Sequence, residues 1–209
     1  MTQVNRTVIF LILMICTFLG LWYLISPEFS RNPPKTLAAT ILTKPSQPMS
    51  AFTLEDTNGK PFTEKSLKGH WNVLFFGYVD CPNVCPATLT IMRDTWNHYL
   101  PTQHPPARFI FTSINPKPDS TQELSTFLKR FHPNFMGLSG KPEEIQKFSQ
   151  QLGIFANPSD ELLPSGALDI SHTSALLVLD PQSRLRAIFT PPLDPDNIVK
   201  DLEVITRRG

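Results

Sequence analysis

The chain has 209 residues, 41% of them hydrophobic, which is enough for one domain with a full core plus an appendage. Its net charge of +1 excludes the strongly basic surface that a nucleic-acid partner requires. Its 21 prolines cluster in segments that read as linkers and loops.

Residues 1–7 form a short leader containing Arg6, and the uncharged run 8–25, VIFLILMICTFLGLWYLI, follows it. A run of that length is able to span a bilayer, with Trp22 and Tyr23 placed for the far interface. No small-residue cleavage pattern follows, since the run ends in Ser26-Pro27-Glu28, and Ile15 before Cys16 is wrong for a lipoprotein signal. The expectation is therefore a transmembrane anchor with a cytoplasmic N-terminus, in which Cys16 is an apolar filler. Residues 26–50 carry repeated prolines without periodicity and predict a tether, which leaves residues 51–209 as the folded domain.

Within that domain, residues 52–54 and 61–63 predict a small hairpin about the Asn58-Gly59 turn. Val73 to Phe76 is a short, aromatic and β-branched run, suited to a strand buried on both faces. It delivers Cys81 and Cys85 into a loop, each cysteine held towards extended backbone by the proline after it. Pro86 then suits the first position of a helix. Residues 108–114 predict a second buried strand. Residues 119–131 predict a helix with a Ser120-x-x-Glu123 capping box and an apolar face of Leu124, Phe127, Leu128 and Phe131. A short strand at 135–138, a helix at 142–152 stopped by Gly153, and an irregular stretch at 156–170 come next. The chain closes with strands at 175–179 and 185–189 about an Asp180-Pro181 turn, and a helix at 195–207. Strands alternating with helices, then a hairpin and a helix, indicate an α/β fold: a thioredoxin-like mixed sheet flanked by helices.

Two thiols at a strand exit, beside a helix N-terminus whose amides and dipole favour a thiolate, are suited to three tasks. They exchange disulfides, bind a soft metal, or form a structural bridge. A bridge would close a very short loop and constrain the unfolded chain little, so a functional pair is favoured.

Four segments make this chain similar to the Sco/SenC proteins, membrane-tethered thioredoxin-fold factors that assemble the copper centre of cytochrome c oxidase. They are GYVDCPNVCP (77–86), SINPKPD (113–119), FMGLSGKPEEI (135–145) and SHTSALLVLDP (171–181). The resemblance implies copper held by Cys81, Cys85 and His172, and delivery to the copper-binding subunit of the oxidase. His172 also precedes the penultimate strand, a segment that faces the cysteine loop in thioredoxin-type folds. Two thiolates and an imidazole are a donor set that selects Cu(I). His70, His98, His104 and His132 read as surface residues. The chain has Val79, Asn83, Asn115 and Ser171 where the family commonly has Thr, Asp, Asp and Asp. Asp119 matches the family's acidic position after the Asn-Pro turn, where it serves either to support the site or to cap the next helix.

The main alternative is a thiol-disulfide reductase acting on a redox partner, with Cys81 and Cys85 as its catalytic pair. Peroxidase chemistry lacks its arginine and a structural zinc site lacks a fourth ligand. An N-terminal span followed by a working dithiol suits a bacterial inner membrane or the intermembrane space of an organelle; the short leader, without the basic amphipathic character of a transit peptide, favours the bacterial inner membrane, single-pass, with the soluble domain in the periplasm.

Overall fold

The computed structural model describes residues 2–25, 36–99, 107–115, 119–155, 157–162, 168–171 and 174–207. It divides into two units, Met1–Pro33 and Pro34–Gly209. The first is a 24-residue helix, α1 (Thr2–Ile25). Its described side chains, Val8 to Leu21, are all exposed. Among the described residues no helix is long and apolar enough to cross a membrane, so the transmembrane anchor expected at 8–25 finds no support there.

The second unit runs β1 (Ala39–Ile41), β2 (Thr53–Asp56), β3 (Pro61–Thr63), α2 (Glu64–Leu67), β4 (Asn72–Gly77), α3 (Val84–Tyr99), β5 (Arg108–Ser113) and α4 (Thr121–Lys129). It continues with β6 (Met136–Ser139), α5 (Pro142–Gln150), β7 (Asn157–Leu162), β8 (Leu168–Ser171), β9 (Leu176–Leu179), β10 (Leu185–Phe189) and α6 (Pro195–Arg207). Eight strands make one sheet in the order β1-β10-β9-β4-β5-β6-β2-β3. Only β4 with β5 and β5 with β6 pair in parallel; the other neighbours are antiparallel.

β4 lies near the middle of this sheet and every one of its residues is buried, as a run apolar at successive positions demands. Alternation sends its side chains and those of β5 to opposite faces. On one face Phe109 meets Trp96 of α3 with ring centroids 5.2 Å apart, and Phe111 meets Phe127 of α4 at 5.9 Å. On the other, Phe76 meets Phe148 of α5 at 5.6 Å. The sheet is thus mixed and covered by helices, as the pattern of elements predicts. The Asn58-Gly59 turn joins β2 to β3 with Gly59 at φ +74°, and the Ser120–Glu123 capping box opens α4.

Three features differ from the sequence expectation. Ala39–Ile41, inside the stretch read as a tether, form an edge strand antiparallel to β10. The carboxylate of Asp201 on α6 holds the approach to it, accepting the N–H groups of Leu37, Ala38 and Ala39 at 2.7–2.8 Å. Residues read as irregular form the β7–β8 hairpin, with Asn157 opposite Ser171 and Leu162 opposite Leu168. Pro158 within β7 masked that strand, since proline suits only an edge or a bulge and the register shifts there. Finally, α3 starts at Val84, so Pro86 lies in the first turn, where its missing N–H costs no helical bond.

Candidate thiol site

The loop between β4 and α3 brings Cys81 and Cys85 together as thiols, 7% and 0% exposed. The first N–H groups of a helix have no partner within it. Here the N–H of Cys85 donates to Cys81 Sγ at 3.3 Å, so the sulfur of the first cysteine caps the helix that carries the second. Cys81 is itself turned back by its N–H, which donates to the carbonyl of Tyr78 at 3.3 Å.

Gly77 decides where Cys85 sits. A Cβ at that position would lie 2.5 Å from Cys85 Sγ and 2.9 Å from Cε2 of Phe111, so only a residue without a side chain lets the sulfur pack against the end of β4.

The sequence predicts that the helix N-terminus favours a thiolate at both cysteines. For Cys85 the structure reverses this. A hydrogen bond with the Cys81 side chain and then burial push the Cys85 thiol far above its ordinary range, and the carboxylate of Asp119 pushes the same way. A helix terminus contributes fractions of a kcal/mol, and loss of solvent around a buried sulfur outweighs it.

Asp119 is buried and does not cap α4; Ser120 does. Its Oδ2 accepts from the Val79 N–H at 3.1 Å and the Ser113 hydroxyl at 2.8 Å, and its Oδ1 accepts from Asn115 Nδ2 at 3.1 Å. The Ser139 hydroxyl donates to its carbonyl at 2.6 Å. One carboxylate therefore ties the cysteine loop to the end of β5. Sequence alone offered the right residue with two roles, and the position of Val79 in space chooses between them. Neither Gly77 as a packing surface nor Ser113 as a partner was singled out, because both act through chain segments distant in sequence.

His172 lies outside the described residues, immediately after β8. Among the described residues no group of three His, Cys, Asp or Glu side chains is gathered closely enough to hold a metal ion. His70 and His98 are exposed, as expected. His132 is half-buried instead, 5.2 Å from the ring of Trp96 and 5.4 Å from that of Phe135, and burial lowers its pKa. His104 lies outside the described residues.

A cavity of about 470 Å³ opens beside the loop and is lined by Cys81 but not Cys85. The two sulfurs thus differ: one reaches a surface groove and the other faces the core.

A cysteine pair where the central strand of a helix-covered mixed sheet meets its next helix defines a thioredoxin-like thiol protein. The SCO1/SenC family model matches residues 42–207, and the chain belongs to that family. The SCO2-like protein of Rickettsia felis is 28% identical over 206 residues, covering 96% of this chain and 98% of that one. The crystal structure of Arabidopsis thaliana ScoI with copper bound superposes with a TM-score of 0.72 at 25% identity, covering 78% of this chain and 99% of that one. Bradyrhizobium japonicum ScoI with copper bound gives 0.66 at 31% identity, covering 75% and 98%. The chain spans 44% and 43% of the mitochondrial relatives from yeast and Arabidopsis thaliana that it also matches.

Proposed function

We propose that this protein is a copper carrier that holds Cu(I) on Cys81, Cys85 and His172 and delivers it to the copper-binding subunit of cytochrome c oxidase. The observation that carries this reading is the pair of sulfurs at one helix terminus, one facing a groove and one facing the core. Two thiolates and an imidazole are soft enough to prefer Cu(I) over harder cations. Relatives of the same fold have been solved with copper bound, including one at 31% identity. His172 follows directly on β8, and its imidazole would complete a low-coordinate site. Delivery needs no bond-making catalysis: incoming thiolates displace the ligands one at a time, and Cys81, being the reachable sulfur, is displaced first.

The test is copper binding by the reduced protein under anaerobic conditions. One Cu(I) per chain is expected, lost when both cysteines become serine and strongly weakened in His172→Ala. Stoichiometric binding that survives the double serine substitution overturns the assignment.

We place the domain on the periplasmic face of a bacterial inner membrane, held by α1. The 24 residues of α1 extend about 36 Å at the helical rise, and the apolar run 8–25 carries no charge to oppose insertion.

A second reading, reduction of a partner's disulfide, is favoured by the same asymmetry. Cys81 faces the groove as an attacking sulfur must, and Cys85 lies behind it, placed to resolve the mixed disulfide. The two readings part at His172: reduction tolerates His172→Ala, and copper holding does not.

A further inference from the structure

Among the described histidines that read as surface residues in the sequence, His132 alone is half-buried. It opens the turn between α4 and β6: its N–H donates to the Leu128 carbonyl at 3.0 Å and its own carbonyl accepts the Phe135 N–H at 3.2 Å. The ring faces Trp96 of α3 and Phe135, with centroids 5.2 and 5.4 Å away. Both of those rings pack on Phe109 of β5, at 5.2 and 5.9 Å. One imidazole thus spans α3, the end of α4 and the approach to β6.

A hydrogen bond sets the protonation state of this ring. Nδ1 accepts the N–H of Asn134 at 3.2 Å, which an imidazole does only when it is neutral and carries its proton on Nε2. An imidazolium donates from both nitrogens, so in acid an Nδ1–H would confront the Asn134 N–H. Little around the ring offsets that. On α3, Arg93 and Asp94 pair with each other at 2.9 Å, and His98 turns to Asp196 of α6. On α4, Glu123 is bonded to Ser120 at the far end, and Lys129 and the C-cap Arg130 add only positive charge. The 132–135 turn and β6 carry no charged residue. Among the described residues no carboxylate bonds to the ring, and burial lowers its pKa. A cation beside the Trp96 face gains some attraction, but it gives up the bond that holds the ring there.

We propose that His132 is an acid-released latch between α3 and α4: protonation breaks its bond to Asn134, and the ring leaves Trp96 and Phe135. The layer it loosens also carries the cysteine site, since α3 holds Cys85 and Phe127 of α4 packs on Phe111, the ring that shares the Gly77 surface with Cys85. The latch involves neither copper nor thiol exchange, so it stands or falls separately from the carrier reading.

The test is imidazole NMR on the full-length reduced chain in detergent micelles, with the His132 ring identified by the contacts of its protons with those of Trp96. Near neutral pH its nitrogen shifts are expected to show the proton on Nε2 and none on Nδ1. On acidification the ring should titrate below the ordinary value of about 6.5, and its contacts with the Trp96 ring should fade as it does. A proton on Nδ1 at neutral pH, a midpoint at or above about 6.5, or ring contacts that persist in the protonated form each overturn the proposal. His132→Asn supplies a second measurement, because its Oδ1 is able to accept the Asn134 N–H but does not titrate. A lowered folded pKa means that stability is full above the unfolded value of about 6.5 and is lost as pH falls below it. The urea midpoint should therefore drop further between about pH 7.5 and about pH 5 in the unaltered chain than in His132→Asn. An equal drop in both overturns the latch.

Discussion

Cys85 packs so closely on Gly77 that a larger residue there would collide with its sulfur. Gly77→Ala would set a methyl group 2.5 Å from the sulfur and 2.9 Å from the Phe111 ring. Overpacking of that kind costs about 1–3 kcal/mol, and relief requires Cys85 or Phe111 to move. Chemical denaturation should report the loss, and copper affinity should fall with it, because the sulfur is displaced from its partner. The protonation state of Cys85 gives a second prediction. Its thiol form is favoured in the folded protein by the Cys81 hydrogen bond and by burial. A group whose folded pKa is raised contributes stability that is full below the pKa of the unfolded thiol, about 8.5, and declines as pH rises above it. The denaturation midpoint of the reduced protein should therefore fall above about pH 8.5, and more steeply than that of Cys85→Ser. Holding Cu(I) requires the proton to leave, so apparent affinity should rise at least about tenfold per pH unit in the neutral range. Competition with a Cu(I) chelator whose own pH dependence is known would measure it. A flat affinity profile would mean that Cys85 does not ligate.

At the scale of elements, the cysteine loop is positioned by contacts between segments far apart in the chain. Asp119 joins it to β5 through Val79, Ser113 and Asn115, and Asp119→Ala removes the acceptor of one buried and two part-buried hydrogen bonds. The expected destabilisation is about 2–4 kcal/mol, since each stranded buried donor costs about 1–3 and some recover water. Asp119→Asn should cost less, because its amide oxygen still accepts. A denaturant series of the two variants checks the order. This pattern explains what could be read from the sequence and what could not. β4 was legible because four successive apolar residues admit no solvated face, and α4 was legible because Ser120 and Glu123 announce its first turn. The pair Cys81 and Cys85 was legible from the strand, the prolines and the spacing alone. β1 was not, because three residues in a proline-rich stretch carry no usable period; their strand exists through pairing with β10 and the N–H groups that Asp201 holds. The state of the Cys85 thiol was also misread, because the helix terminus is local to the sequence while the burial that overrides it comes from β4 and β5.

On the scale of the whole molecule, the two units make different demands on solvent. The domain of Pro34–Gly209 exposes Leu37, Val84 and Phe155 but buries its central aromatic side chains between sheet and helices, with all of Phe75, Phe76, Phe109, Phe111, Phe148 and Phe189 at 1% exposure or less. α1 does the reverse among its described side chains: Val8, Phe10, Leu13 and Phe18 are 46%, 70%, 58% and 65% exposed. Apolar surface gains about 25 cal/mol per Å² on leaving water, which favours covering these side chains, as the proposed anchoring by α1 would do. The described apolar side chains stop at Leu21, but the sequence continues Trp22-Tyr23-Leu24-Ile25, which brings the uncharged run near the roughly 20 residues a span requires. The prediction is that the full chain sediments with membranes and resists extraction by carbonate or high salt, whereas a chain beginning at Pro34 does not. Lys substituted for Leu13, near the middle of the run, should weaken insertion by about 2.5–3.5 kcal/mol without changing copper binding by the domain. Extraction of the unaltered chain by carbonate alone would show that α1 does not anchor it.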